Sequence, residues 1–248
     1  FIFNNPYDDF KNKFNNMDLL RKNGKVIIPD KRNDENYIIS QLHIFWQKYH
    51  NKIVDSQLFK INCKNMNKSK QFDFAKSVVV KTFQQVVIED FLYNILDFDI
   101  YKCYINRIQS NKDLFFYKGS NKASEIPLEF SHAGFRFGHS MVRKSYKVND
   151  DNINALNLCD LFNPCHKPIS INQIVDWRRF FNLKVKDTDN IFAELIDDII
   201  VNPMSNIPDQ KHSIIRLNMQ AGFNVELPSG IQILNEIRKN KSLALELK

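Results

Sequence analysis

The chain has 248 residues, 43% of them hydrophobic and 12% aromatic, which is enough to bury the core of one large domain. It has only 6 Gly, none of them in a glycine-rich phosphate-binding motif, so the sequence argues against a nucleotide-binding α/β enzyme. The net charge of +7 is scattered without a nucleic-acid-binding motif, and no apolar run approaches the length of a membrane span, so we expect neither a nucleic-acid partner nor a membrane span.

The first half of the chain shows helical periodicity after a polar start. Residues 1–31 are rich in Asn and predict an irregular lead-in. From about residue 35 to 55, apolar side chains recur at helical spacing and predict a helix (Ile38, Leu42, Phe45, Tyr49, Ile53). A second helix is predicted over about 72–96, where neither Pro nor Gly interrupts the apolar stripe, and a less regular connection follows over 100–120.

The second half predicts more helices separated by loops. Helices are expected over about 128–142, over about 190–200 and from Ile231 onward, with a loop-rich region over 146–175. Strand signals are few. The predicted fold class is therefore mainly α, in a single domain over 1–248.

The most informative run lies at 126–143 and reads Ile126-Pro-Leu-Glu-Phe-Ser-His-Ala-Gly-Phe-Arg-Phe-Gly-His-Ser-Met-Val-Arg143. It sets His139 among apolar and aromatic residues, and Gly138 would let a flat ligand approach the backbone closely. Neutral imidazole is a common axial ligand of haem iron. On these residues alone, a packed core histidine is the more ordinary interpretation, and both remain open.

The amino-acid sequence of this run resembles that of a known family. Phe135-Arg136-Phe137-Gly138-His139 is similar to the proximal-histidine helix of the animal-type haem peroxidases (the peroxidase–cyclooxygenase superfamily), and the full run is most similar to its bacterial branch. The resemblance implies a haem b cofactor with His139 as its iron ligand, hydrogen peroxide as substrate and a small electron donor as second partner. It also places Arg136 near a haem propionate, which suits a permanently charged guanidinium; a surface ion pair is the alternative.

Arg32 and Glu35 lie three residues apart at a helix start, which brings their side chains to one side. Taken alone, this spacing indicates an exposed ion pair. Residues 30–55, however, resemble the distal-side helix of the same family. The resemblance implies that Arg32 is a catalytic residue that helps polarise the peroxide O–O bond, and that Glu35 lies against the haem edge, where some members form an ester with a haem methyl. Asn36 excludes the sulfonium link that a Met forms there in one subfamily.

Asn218, in Arg216-Leu-Asn-Met-Gln-Ala-Gly222, matches the family's Asn that accepts the Nδ1 proton of the proximal imidazole. Such a partner fixes the tautomer and tunes the iron. The chain departs from the family at Ala221, where an Arg is usual, so weaker propionate anchoring is expected. The resemblance covers about residues 28 to 240 in several blocks in the right order.

Other candidate ligands are interpreted as structural. His43 and His50 are seven residues apart on one predicted helix, roughly 10 Å along its axis, so they cannot share a metal ion and are expected to pack. The four Cys are too few and too irregularly spaced for a disulfide framework, which favours free or structural thiols.

The largest departure from the family is at the start of the chain. The family's distal His, which is the general base, lies in an upstream segment with a calcium-ligating Asp, and residues 1–31 contain no His. We therefore expect an N-terminally incomplete peroxidase that is poorly active by itself, with any calcium site outside this chain.

Two other functions stay open. A non-catalytic or degenerate module that keeps only the helical scaffold would also explain the missing distal segment and Ala221. Fatty-acid dioxygenation, which relatives perform with a tyrosyl radical, is less favoured because this chain has Arg136 where those members have Tyr.

Overall fold

A computed structural model describes residues 18–110, 112, 126–150, 154–181, 190–208 and 211–239, and in this part the protein is mainly α, as predicted. Its α-helices are α1 (Tyr37–Val54), α2 (Gln57–Asn62), α3 (Lys68–Gln85), α4 (Leu92–Ile95), α5 (Phe98–Gln109), α6 (Leu128–His132), α7 (Leu158–Leu161), α8 (Ile214–Asn224) and α9 (Gly230–Lys239). The strands form two short antiparallel pairs, β1 (Arg21–Lys22) with β2 (Lys25–Val26), and β3 (Ser145–Tyr146) with β4 (Leu156–Asn157). None of the described helices is long and apolar enough to cross a bilayer.

The predicted helices of the first half agree with the structure, but two helices, α2 and α5, were missed. α1 covers most of the predicted range 35–55, and the chain is helical from residue 72 to residue 95, with a π-helical segment at Val86–Phe91 between α3 and α4. The prediction of an irregular connection over 100–120 is wrong up to Gln109, since these residues belong to α5. This helix begins at Phe98 because the side chain of Asp97 accepts hydrogen bonds from two backbone N–H groups. Residues 111 and 113–120 of that range lie outside the described residues.

The helix predicted over 190–200 is also wrong. In this stretch the backbone N–H groups of Ile191, Glu194 and Asp197 donate to acceptors outside it. The acceptors are the carbonyls of Arg179 and Met141 and the hydroxyl of Ser140. These bonds replace the i to i−4 pattern that a helix would need, so tertiary contacts override the apolar periodicity.

The chain divides into two compact units, one within Phe1–Asn51 and Arg136–Met219 and the other within Lys52–Phe135 and Gln220–Lys248. The single domain predicted over 1–248 stays a prediction. In the second unit, Cys63 and Ala75 are buried and the rings of Phe59 and Phe74 meet edge to face at 6.1 Å.

The first unit has a core built from short elements. Val148, Leu161 and Val175 are buried together, and half-buried side chains pack around them (Ile38, Tyr146, Leu156, Trp177, Phe180). The buried amide of Gln41 joins α1 to this core, since it accepts from the N–H of Val175 at 2.8 Å and donates to two backbone carbonyls. Satisfied buried amides of this kind fix one arrangement of the surrounding loops.

A buried ion cluster anchors the segment just before α1. Asp34 is fully buried, and its two oxygens accept hydrogen bonds of 2.7 and 2.8 Å from the guanidinium of Arg21. Nδ1 of His166 lies 3.2 Å from the same carboxylate, and Arg21 also donates to the backbone carbonyls of His166 and Lys167. The cluster therefore ties the N-terminal hairpin, the 3-10 segment Lys31–Asp34 and the loop at 166–167 to one another.

We predict that Asp34→Asn lowers the free energy of unfolding by about 3 kcal/mol, because it removes the buried carboxylate that accepts two hydrogen bonds from the largely buried Arg21 and leaves the half-buried Asp18 as the remaining acidic partner among the described contacts. Glu236→Gln is the matched control: its pair with Lys239 on α9 is exposed, so the loss should stay below about 1 kcal/mol. Urea denaturation followed by circular dichroism measures both. Equal losses in the two variants would contradict the role given to the buried cluster.

Candidate functional site

His139 is the last residue of a tight 3-10 segment and does not lie in the middle of a regular helix. The helix predicted over 128–142 is divided into α6 and the 3-10 segment Gly134–His139, with a break at Ala133. The chain after His139 is held in place, because Ser140 is buried and its hydroxyl donates to the carbonyl of Phe137 at 2.9 Å. His139 itself is half-buried.

Three of the predicted site residues are joined by hydrogen bonds, and we call them the proximal triad: Arg136, Asn218 and His139. Arg136 and His139 are three residues apart in a 3-10 segment, where side chains at i and i+3 lie above one another. Asn218 comes from α8. Nη1 of Arg136 donates to Oδ1 of Asn218 at 2.8 Å, and Nδ2 of Asn218 lies 2.9 Å from Nδ1 of His139.

The contact between Asn218 and His139 was predicted, but through the other atom of the amide. We expected the amide oxygen to face Nδ1, and the structure places the amide nitrogen there. The physical reason is Arg136: a guanidinium only donates hydrogen bonds, so the group that faces it must be the oxygen. Nδ1 of His139 then accepts a hydrogen bond instead of donating one.

The surroundings favour the neutral form of His139. Burial lowers the pKa of its imidazole below the usual 6.5, and the nearby charge of Arg136 lowers it further. A neutral imidazole is the form that can serve as an iron ligand.

His43 has a closely similar environment on α1. Burial lowers its pKa, and its Nδ1 lies 3.0 Å from Nδ2 of Asn33. His50, further along α1, is half-buried, and its Nδ1 lies 3.4 Å from Oδ1 of Asn51. The packing role predicted for His43 and His50 stays a prediction.

Arg32 and Glu35 lie on the outside of the 3-10 segment that Asp34 anchors. The side chain of Arg32 is 81% exposed and binds Asp30 at 2.6 Å, a contact that lowers the pKa of Asp30 to about 2. Glu35 is exposed, and its backbone carbonyl accepts from the N–H of Asn163 at 2.7 Å. Among the described contacts, none joins Arg32 or Glu35 to the proximal triad. The catalytic and haem-edge roles of these two residues stay predictions.

The anchoring residue between Arg32 and Glu35 was missed by the sequence reasoning. Asp34 stands among charged and amide residues, and no hydrophobic periodicity marks it as buried. Its partner Arg21 is 13 residues away in the lead-in that we predicted to be irregular. The only signal for the burial of Asp34 would have been the geometry of a 3-10 turn, in which Asp34 points inward when Arg32 points outward.

The proximal triad has the donor set that a haem needs on its proximal side. The imidazole can ligate iron, Arg136 can pair with a carboxylate, and a Cβ built on Gly138 would meet no atom within 4 Å, so the space there is open to a flat group. No group of three His, Cys, Asp or Glu that could hold a bare metal ion occurs among the described residues. A porphyrin iron needs only an axial protein ligand, because the ring nitrogens supply the others.

The lowered pKa values of His43 and His139 predict a pH dependence of stability. As the pH falls below about 6.5, the unfolded chain takes up protons that these two imidazoles resist in the folded chain, so the free energy of unfolding decreases. Above that pH their contribution is fully present. Urea midpoints between about pH 7.5 and about pH 5 measure it.

The control for this prediction is the variant His43→Gln/His139→Gln, in which the decrease should be smaller. The carboxylates with lowered pKa, Asp30 and Asp176, act only below about pH 4 and do not interfere. The same slope in both proteins would show that other groups control the acid stability.

Comparison with known proteins identifies the family of the chain. The family model for animal haem peroxidases matches residues 5–236 of the chain. No curated protein matches the chain. The family match confirms the resemblance found in the sequence and implies a haem cofactor with peroxide and donor substrates, while membership of the bacterial branch stays a prediction. The chain belongs to the animal haem peroxidase family.

Proposed function

We propose that this chain binds haem b through His139 and is part of a peroxidase that reduces hydrogen peroxide with oxidation of a small electron donor. The observation that carries the proposal is the hydrogen-bonded proximal triad, because it joins the three residues that the family resemblance assigns to the proximal side. Haem would supply the redox chemistry, in which its iron takes oxidising equivalents from peroxide and passes them to the donor.

The proximal residues would bind and orient the cofactor. His139 would offer Nε2 to the iron, and Asn218 would hold the ring through Nδ1. The guanidinium of Arg136 would pair with a propionate, which needs a cation that stays charged at every working pH. Glu35 is exposed, which supports a position at the haem edge, and an ester bond to a haem methyl is part of the proposal.

Arg32 would supply the positive charge on the peroxide side. Its present partner Asp30 is a solvent-accessible carboxylate, and ion pairs of this kind contribute little to stability because water screens them. Arg32 can therefore leave Asp30 at small cost. Its guanidinium would stabilise the negative charge that develops on a peroxide oxygen as the O–O bond lengthens.

The first test concerns the iron ligand. The full chain is reconstituted with haemin and compared with His139→Ala, which should lose the Soret band position and spin state of the wild type because the axial nitrogen is gone. His43→Ala is the matched control, since His43 is also half-buried, with a lowered pKa and an Asn amide at Nδ1. Identical spectra for wild type and His139→Ala would reject His139 as the ligand.

The second test concerns Arg32. Arg32→Leu should lower the rate constant of the haemin-loaded chain with hydrogen peroxide by about 100-fold, with little change in haemin affinity. Arg178→Leu is the control, because Arg178 is also exposed and binds the carboxylate two residues before it, that of Asp176. A loss of the same size in both variants would indicate a general effect of surface charge.

A further inference from the structure

The first unit contains a continuous series of aromatic rings. Neighbouring ring centroids along it are 5.6 to 6.3 Å apart, which is contact distance for aromatic pairs. All of its members belong to the same compact unit. We call it the aromatic series, and its members in spatial order are Tyr146, Phe180, Trp177, Phe45, Trp46 and Tyr49.

The aromatic series contains the side chains that give up an electron most readily. It holds both tryptophans of the chain, Trp46 and Trp177, and a tyrosine stands at either end. Indole and phenol groups can lose one electron and take it back, whereas the rings of the two phenylalanines only bridge them. Because the rate of electron transfer falls exponentially with distance, several short steps between such groups are faster than one long step. The series therefore has the composition and the spacing of an electron-transfer path.

One end of the series lies near the proposed iron ligand along the chain. The hydroxyl of Tyr146 accepts a hydrogen bond of 2.9 Å from the backbone N–H of Arg143. Arg143 follows His139 by four residues, so the Cα atoms of these two residues are at most about 14 Å apart. The N–H of Met141 donates to the carbonyl of Gly138, so the chain turns within this stretch and the separation is shorter than the limit.

The other end reaches the surface of α1. Trp46 and Tyr49 are half-buried, so each keeps a solvent-accessible part, and Phe45 beside them is 43% exposed. Residues three apart on a helix lie on the same side, so a molecule in solution can touch Trp46 and Tyr49 together.

We propose that the aromatic series carries electrons from a phenolic donor at Trp46 and Tyr49 to a haem held by His139. The surface of α1 thereby serves phenols that are too large to reach the haem itself. The proposal rests on the proposed function, which supplies the haem, and it names a class of electron donor and the place where this donor reacts.

The electrons and protons balance. Tyr146 gives one electron to haem that peroxide has oxidised, and each tyrosine or tryptophan of the series is then reduced by the next one, as far as Tyr49. A residue that loses its electron releases its phenolic or indole proton to solvent and takes a proton back when it is reduced. The donor phenol finally reduces Tyr49 and loses one electron and one proton. Two donor molecules supply the two electrons that reduce one hydrogen peroxide to water.

An electron-transfer role and a packing role predict different results for the same substitution. Tyr146 packs against the core of the first unit, and Tyr→Phe keeps the ring that does so. The variant Tyr49→Phe/Tyr146→Phe therefore retains the packing and removes both oxidisable ends. Tyr93→Phe/Tyr101→Phe is the matched control, because these two rings also meet, at 5.4 Å, but contact no tryptophan among the described contacts.

The first arm of the test needs no haem. Azide radicals generated by pulse radiolysis oxidise tryptophan side chains of the full chain by one electron and become azide ions. In the wild type the absorbance of the tryptophan radical should decay while that of a tyrosyl radical grows, with a first-order rate constant that does not depend on protein concentration. Tyr49→Phe/Tyr146→Phe should lose this growth, and Tyr93→Phe/Tyr101→Phe should keep it. The same behaviour in both variants, or no growth in the wild type, would overturn the proposal.

The second arm mixes the haemin-loaded chain with hydrogen peroxide. Rapid-freeze electron paramagnetic resonance should show a tyrosyl radical, identified by the narrowing of its signal when the tyrosine rings are deuterated. Tyr49→Phe/Tyr146→Phe should lose the signal. Phenol groups coupled to dextran, which are too large to reach a haem, should shorten the lifetime of the wild-type radical. An unchanged lifetime would reject the surface of α1 as the place where the donor reacts.

The two levels of the proposal fail separately. If peroxide leaves the optical spectrum of the haemin-loaded chain unchanged, the proposed function is wrong, and the first arm alone decides on the aromatic series. If the spectrum changes while no tyrosyl radical forms, the haem reacts and the aromatic series is rejected.

Discussion

The proximal site depends on one side-chain amide that is shared between a cation and an imidazole. Asn218 is 79 residues from His139 and 82 from Arg136 in sequence, so the hydrogen bonds form only if α8 is seated against the 3-10 segment Gly134–His139. Because an amide has one donor end and one acceptor end, the partner at either end dictates what the other end can do. Arg136 and His139 are therefore linked through this one amide.

Arg32 and Glu35, the residues predicted for the distal side, are positioned by a different buried interaction. In the 3-10 segment Lys31–Asp34, the carboxylate of Asp34 turns inward to Arg21, and this fixes the rotation of the turn. Since a 3-10 helix repeats every three residues, Arg32 and Glu35 then share the outer side. The sequence predicted that the side chains of Arg32 and Glu35 lie on one side of a helix start, and they do. The inward carboxylate of Asp34 holds the turn in this orientation.

Hydrophobic periodicity and sequence motifs predicted the parts of the fold that local interactions determine. α1 and α9 follow from their apolar stripes, and the contact of Asn218 with His139 follows from the family resemblance. Long-range hydrogen bonds decided the rest. The stretch 190–200 is apolar at helical spacing, but its N–H groups donate to Arg179, Met141 and Ser140, and no local pattern encodes those partners. The orientation of the Asn218 amide likewise depends on Arg136, and a sequence gives no signal for it.

Burial and pKa do not separate a ligand histidine from a packing one in this protein. His43 and His139 are both half-buried, both have a pKa lowered mainly by burial, and both face an amide nitrogen through Nδ1. The two histidines differ in what binds the oxygen of the neighbouring Asn amide. The oxygen of Asn218 is bound by Arg136, whereas no arginine binds the oxygen of Asn33 among the described contacts. A cation beside a neutral imidazole is the combination that can hold both a propionate and the iron of a haem, and for this reason the proposed function assigns the ligand role to His139 and not to His43.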